Sequence, residues 1–499
     1  YQNKIKEQTK KFNYLHLSIH FSRDEREFDY INYKLLKYFR KVKSEPKRSG
    51  NFISEQYIFL KYLNSFKEYK YLISLGIPMV ILKDILVFLE RIFDTSIVFT
   101  ITFFSILINK IKGSDKDANA LNNTKIYSIY YWNKKGEKSA EYYYPGIGKA
   151  LDSKAYIISY ADCKFFSYSY FKSIINSSYL SPAKTLNYKG LFLSVIQFFH
   201  LFFYDLYLPF KKQDYHFLKF WFGWKRIPEI FYSLLIYNSV KELANNCNNC
   251  EFISWYENQI MLRSFSLAVS HIKKISNTKC ILSTYNGTPF TINNKNQYLP
   301  NREEIKIGFW GSNYYLQDLN SLEEMKNYLD ENNLSLKLKA VPKSMKRFNC
   351  LSNKNLRKID SKGITIFTSD TKWDLFSCLI SLFNPSNFNK LEISRLNNKS
   401  KIINIRLHPS LDQKKIISFL KNIKLLPKDI KFNFVDNITE TIVDTMQSSE
   451  LCIFGESAYS NMAIEMNLKV MVVETSHLYK APIRKDLNNS PNLFFKSPW

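Results

Sequence analysis

The chain has 499 residues, 45% of them hydrophobic, and a formal net charge of +27. So much apolar content excludes an intrinsically disordered chain and is enough for two or three ordinary cores. The charge attracts polyanions without choosing among them. However, Lys, Asn, Ile, Tyr and Phe are abundant together, as under a genome-wide nucleotide bias, and no RRM, KH or zinc-finger spacing is present, so nucleic acid is not an expected partner.

Residues 1–120 read as a mainly helical, aromatic-rich region that ends in the polar linker KGSDKDANALNNTK, whose Gly, Asp and Asn favour turns. Within it the apolar stretch 77–111 is broken by Lys83, Asp84, Glu90, Arg91 and Asp94, leaving a clean run of about 14 residues, short of the roughly 20 that a span requires. A second apolar stretch, 191–210, has the length but carries Gln197, His200 and Asp205. Each can be drawn as an amphipathic helix whose aromatic face is buried in protein or dips into a bilayer interface.

Residues 121–300 read as a mixed α/β domain with inserted aromatic helices. KIYSIYYW and AYIISYA alternate like strands, FISWYENQIMLRSFSLAVSHI has apolar residues at helical spacing, and KCILSTYNGTPF is a buried strand running into a loop. Seven cysteines, an odd number without small-domain spacing, indicate a reducing compartment. Cys247 and Cys250 form a CxxC with no second pair, and read as two incidental thiols in a polar loop.

Residues 301–499 form a third region. EIKIGFWG is expected as a strand and turn, then SLEEMKNYLDENN as a helix, LSLKLKAVP and GITIFTSD as strands, WDLFSCLISLF as a helix and KIINIRLHP as a strand. KKIISFLKNI, ITETIVDTMQSS and AYSNMAIEMNL follow as helices, alternating with the strands IKFNFVD, LCIFGES and KVMVVET. This alternation predicts a parallel, doubly wound sheet covered on both faces, with ligands beyond the carboxyl ends of the strands.

Three clusters fall at such ends. Arg406 and His408 close one strand before Pro409, and alternation puts them on one side; an Arg fork matches phosphate oxygens and His donates a hydrogen bond. Ser457 and Ser460 lie between a strand and a helix N-terminus, with Glu465 further along that helix. Thr368, Ser369 and Asp370 follow a third strand. A capped strand end accounts equally for the first cluster, and N-capping by Ser457 for the second.

An Arg-x-His-Pro strand end, followed 40–50 residues later by a strand, a Ser-containing turn and a helix with a glutamate, resembles the donor half of GT-B glycosyltransferases. The order of FISWYENQIMLRSFSLA, KCILSTYNGTPF, YLPNREEIKIGFWGSNYY, RLHP and GESAYSN over roughly 120–483 is similar to a bacterial surface carbohydrate (polysaccharide) biosynthesis family. The chain departs from that pattern at Ser283, Thr284, Tyr285 and Asn286, which stand where a Gly-x-Gln-His element is expected.

The resemblance implies an α/β fold of two Rossmann-like domains facing each other (GT-B-like), an acceptor domain at 121–300 and a donor domain at 301–499. It also implies transfer from a nucleotide-sugar donor, CMP-linked in preference to UDP-linked, to a glycan or lipid-linked acceptor. Arg406, His408, Ser457 and Ser460 would meet the donor phosphate, Thr368 and Ser369 would line the same cleft, and Glu465 would take ribose or sugar hydroxyls. Glu257 is the candidate base, since an inverting transfer needs a carboxylate from the other domain; pairing with Arg263 is the structural alternative. With no Asp-x-Asp at a convincing strand end, the sequence requires no metal and no other cofactor. The expected location is cytoplasmic, with peripheral contact at the inner membrane face. Two other functions fit: a CDP-polyol phosphotransferase, needing a histidine base such as His271 or His216, and a non-catalytic scaffold.

Overall fold

In the computed structural model the described residues run from 67 to 496 with interruptions, the longest being 132–153, 341–362 and 384–401. They form two six-stranded parallel sheets with helices, the α/β class expected, each sheet the centre of a Rossmann-like domain.

The first sheet holds β1 (Lys125–Tyr131), β2 (Lys154–Ser159), β3 (Glu251–Tyr256), β4 (Ile281–Asn286), β5 (Asn313–Leu316) and β6 (Leu338–Ala340), in the order β2-β1-β3-β4-β5-β6. Its helices are α1 (Lys67–Ile111), α2 (Phe166–Ile175), α3 (Pro182–Thr185), α4 (Tyr188–Phe210), α5 (Ile227–Asn246), α6 (Ile260–Ile275), α7 (Arg302–Lys306) and α8 (Leu319–Glu331). The second sheet holds β7 (Ile364–Phe367), β8 (Ile402–Arg406), β9 (Lys431–Phe434), β10 (Leu451–Phe454), β11 (Val470–Val473) and β12 (Leu493–Lys496), in the order β12-β11-β10-β7-β8-β9. With it go α9 (Lys372–Phe383), α10 (Gln413–Lys421), α11 (Ile442–Gln447) and α12 (Tyr459–Glu465).

The structure differs from the sequence expectations at several points. The division at 300 falls inside the first sheet, because β5 pairs with β4 and β6 with β5. Helix α1 is attached to the first sheet's domain: Val98 and Ile106 belong to the same core as Trp255 and Leu282. EIKIGFWG is not a strand but α7 and a turn. Its alternation arises because Glu304 is drawn inward by Arg263 while Phe309 and Trp310 fill the core. The turn ends at Gly311, with φ +79°, where an added Cβ would lie 2.5 Å from the Leu282 carbonyl oxygen.

The segment FISWYENQIMLRSFSLAVSHI also divides, into β3 and α6. Phe252, Ile253 and Trp255 are buried in a strand paired on both edges, as the interior of a parallel sheet demands. Helix α5 is buried almost all round, packed on α6, α4 and α1. The CxxC is likewise not in a polar loop: Cys247 and Cys250 are buried beside Cys280, and burial pushes the Cys247 thiol well up from its ordinary range.

The second sheet is covered on both faces. Ile364 and Ile366 of β7 share one cluster with Leu375 and Leu379 of α9 and Ile416 of α10; Phe367 shares another with Met446 of α11 and Met462 of α12. This period-two split is the doubly wound arrangement read from the alternation.

Candidate functional site at the second sheet

The strand order reverses at β7: β8 and β9 lie to one side, whereas β10, β11 and β12 lie to the other. At such a reversal the connections leave in opposite directions and open a crevice beyond the carboxyl ends. Three of the clusters read from the sequence meet there, at the ends of β8, β7 and β10. With neighbouring strands about 4.8 Å apart, the outer two ends are separated by roughly 10 Å.

The ends of β7 and β8 are fixed to each other by hydrogen bonds. The Thr368 N–H donates to the Arg406 carbonyl at 3.1 Å, and the His408 N–H donates to the Thr368 hydroxyl at 2.8 Å. The β7–β8 ladder therefore continues past Phe367 and holds half-buried His408 at the rim. A turn follows, with the Leu411 N–H donating to the His408 carbonyl at 2.9 Å. Below the crevice Phe367 stacks on Phe454, centroids 4.7 Å apart, which locks β7 to β10.

The other candidate residues are placed less uniformly. Arg406 lies on the α11 face of the sheet, where its Nη1 donates to the hydroxyl of Thr445 at 2.6 Å. Ser457 is half-buried and caps α12, its hydroxyl accepting from the Tyr459 N–H at 3.3 Å. Ser460 is fully buried and donates its hydroxyl to the Ser457 carbonyl at 2.6 Å, closing the turn from within. Glu465 is exposed at the last residue of α12, about 9 Å along the axis from Tyr459.

Glu257 and Asp370 lie outside the described residues, as does His216; Glu257 directly follows Tyr256, the last residue of β3. Arg263 is bonded to Glu304 at 3.0 Å. His271, on α6, meets the Tyr237 ring edge-on at 6.2 Å. The departing segment Ser283–Asn286 is strand β4, where Ser283 donates to Glu251 at 2.6 Å and Tyr285 stacks on Tyr315 with centroids 4.4 Å apart.

One residue that the sequence reading had not assigned to the site, Asp374, organises the strand ends together with Gly455. Asp374, in the first turn of α9, is buried and accepts the Ser369 N–H at 2.7 Å. Its carboxylate also fills the space beside Gly455: a Cβ built there would lie 1.5 Å from Oδ1 of Asp374. Only glycine admits that carboxylate between the ends of β7 and β10. The signal in the sequence was an aspartate opening a helix just after a strand end, a pattern that ordinary capping also produces. Among the described residues no group of three His, Cys, Asp or Glu is arranged to hold a metal ion.

No protein-family model matches the chain, and no curated protein does. Among solved structures, UDP-GlcNAc 2-epimerase from Neisseria meningitidis bound to UDP-GlcNAc is similar at 12% identity and TM-score 0.39, with 74% of this chain and 87% of that one covered. MurG from Acinetobacter baumannii is similar at 8% identity and TM-score 0.36, covering 75% of this chain and 86% of that one. MnaA from S. aureus, in its UDP co-structure, is similar at 11% identity and TM-score 0.35, covering 70% and 78%.

Proposed function

We propose that the chain transfers a sugar from a nucleotide-activated donor, CMP-linked in preference to UDP-linked, to a glycan or lipid-linked acceptor of surface-polysaccharide synthesis at the inner face of a membrane. The observation that carries this reading is the meeting of His408, Thr368, Ser369 and the Gly455–Ser457 turn at the strand-order reversal of the second sheet. Imidazole, hydroxyl and backbone N–H donors at neighbouring strand ends are the groups that a nucleotide's phosphates pair with.

In this reading His408 donates to the phosphate, and the Thr368 hydroxyl, which accepts from the His408 N–H, turns its own proton toward the same group. Ser369 and Ser457 add hydroxyls. Arg406 contributes positive charge from its place against Thr445, Ser460 holds the turn, and Glu465 takes ribose or sugar hydroxyls along α12.

Glu257, next in the chain after β3, acts as base. It takes the proton of the acceptor hydroxyl while that oxygen bonds to the anomeric carbon, and the bond from this carbon to phosphate breaks, its electron pair leaving on the nucleotide. The anomeric centre is inverted and no metal is needed.

Glu257→Gln should lower turnover of a CMP- or UDP-sugar by at least about a hundredfold, read as nucleotide released, with nucleotide binding unchanged. A variant that turns over like the wild type removes Glu257 as base. One that loses binding as well assigns it to the donor site instead.

A further inference from the structure

We infer that α1, α2 and α4 form a bilayer-contact face by which the chain docks on anionic membrane without crossing it. The inference stands on these helices alone, so a chain that bound no nucleotide would still show it.

In water a surface helix turns its polar side outward. These three do the reverse. On α1 the outward stripe carries Leu89, Phe93, Phe104, Leu107 and Ile111, while Asp94, Thr95 and Thr102 face the protein. Asp94 accepts the N–H groups of Phe166 and Ser167 at 2.8 and 3.1 Å, and the hydroxyls of Thr102 and Tyr170 are 2.9 Å apart. On α4 Phe192, Ile196, Phe199 and Phe203 point out, whereas Ser194 and Gln197 are buried and accept from the Asn238 amide at 2.8 and 2.7 Å. On α2 Phe171 and Ile175 are outside and Ser167, Ser169 and Ser173 inside. Apart from Ile281, Leu319 and Ile402, every exposed large apolar side chain among the described residues is on one of these helices. Exposed apolar side chains gathered on three helices, α2 and α4 each packed on α1, mark a surface meant to be covered.

The chemistry of the face selects lipid over protein. A protein partner forms about one hydrogen bond per 100–200 Å² of interface. Here the two hydroxyls on the outward stripe of α1 are already used: Ser96 donates to the Ile92 carbonyl at 3.1 Å and Thr100 to the Ser96 carbonyl at 2.9 Å. Hydrocarbon requires that inward satisfaction, whereas water does not. Glu90 and Arg91 are half-buried at the flank of the stripe. Cations stand at the helix ends, with Lys110 over the Tyr188 ring at 5.9 Å, Lys172 over the Tyr168 ring at 4.7 Å and Lys189 exposed, in a chain of net charge +27. Ammonium groups held over aromatic rings at the ends of these helices suit an anionic headgroup layer.

Residues Ile85–Ile111 have the length and a hydropathy of 1.7 for a span and are 22% buried, yet α1 packs on α2 and on α5, which itself packs on α6 of the first domain. A helix tied to the first domain along its length is not free to be surrounded by lipid. It lies along the surface instead, its exposed apolar stretch covering about 40 Å and dipping some 5–10 Å into the near leaflet.

Flotation of the full chain with vesicles of phosphatidylcholine, and of an equimolar phosphatidylcholine–phosphatidylglycerol mixture, tests this. The wild type should float with the anionic vesicles and stay bound at about 1 M salt, where simple charge adhesion is screened. Phe104→Ser/Leu107→Ser/Phe199→Ser keeps every charge and alters three side chains that are exposed or part of the outward face; it should lower the bound fraction at least about tenfold with unchanged circular dichroism. Light scattering without vesicles should give the same mass for both proteins. A wild type that never floats overturns the proposal, as does one released by salt. So does a vesicle-free dimer that the triple variant dissociates, which would make a second copy the occupant.

Discussion

Gly455→Ala is expected to destabilise the second domain by about 2–5 kcal/mol and to abolish any ligand binding at its strand ends. The new methyl would fall 1.5 Å from Oδ1 of Asp374, so the carboxylate must leave, and with it the acceptor of the Ser369 N–H. Part of the loss is overpacking in a site without free volume; the rest is a buried N–H left without its partner. If that account is right, the two positions are coupled. Asp374→Ala should cost stability alone, but Gly455→Ala made in that background should cost much less than in the wild type, a non-additivity of more than about 1 kcal/mol. Chemical denaturation of the two single variants and the double variant measures it. Equal cost in both backgrounds would mean that Asp374 is not what makes position 455 a glycine.

Arg263→Ala should cost the first domain about 3–5 kcal/mol. Arg263 and Glu304 are 1% and 2% exposed and 3.0 Å apart; Arg263 also stacks on Phe309 at 4.6 Å, and the Trp310 indole N–H donates to Glu304 at 3.3 Å. Removing the guanidinium strands a carboxylate in the core of α6 and α7. The pair itself is not expected to be worth that much, since burying both charges is nearly as costly as their attraction is favourable. Arg263→Met/Glu304→Leu should therefore recover most of the stability that Arg263→Ala loses. Chemical denaturation followed by tryptophan fluorescence, to which buried Trp255 and Trp310 of this core contribute, measures the change. A single variant within about 1 kcal/mol of the wild type would show that the pair is hydrated when the chain is in solution.

The sequence was most legible where local pattern and long-range placement agree. From β7 to β10 each strand is short and followed by a polar end and a helix, so the alternation and the positions of Thr368 and His408 at strand ends could be read directly. Sheet membership was not legible: nothing local tells β5 and β6 that their partner is β4 rather than β7. EIKIGFWG was misread because Ile305, Ile307 and Phe309 alternate as in a strand, while the residue that bends Glu304 inward lies 41 positions upstream. Asp374 was missed for the same reason, its other contact being a glycine far along the chain. The apolar helices were recognised as amphipathic, but the outward direction of their apolar faces depends on what α2 and α5 offer to Asp94 and Gln197.

The reading of the second sheet as a donor site is tested most directly by thermal-shift titration of the full chain with CMP, CDP, UDP and GDP, repeated on His408→Ala and Ser457→Ala. A ligand at about 100 times its Kd should add roughly 2.7 kcal/mol of stability to the domain that binds it. The account predicts a shift with one cytidine or uridine nucleotide that both substitutions abolish while leaving the unliganded transition within a few degrees of the wild type. No shift with any of the four nucleotides, or a shift that survives both substitutions, would contradict it.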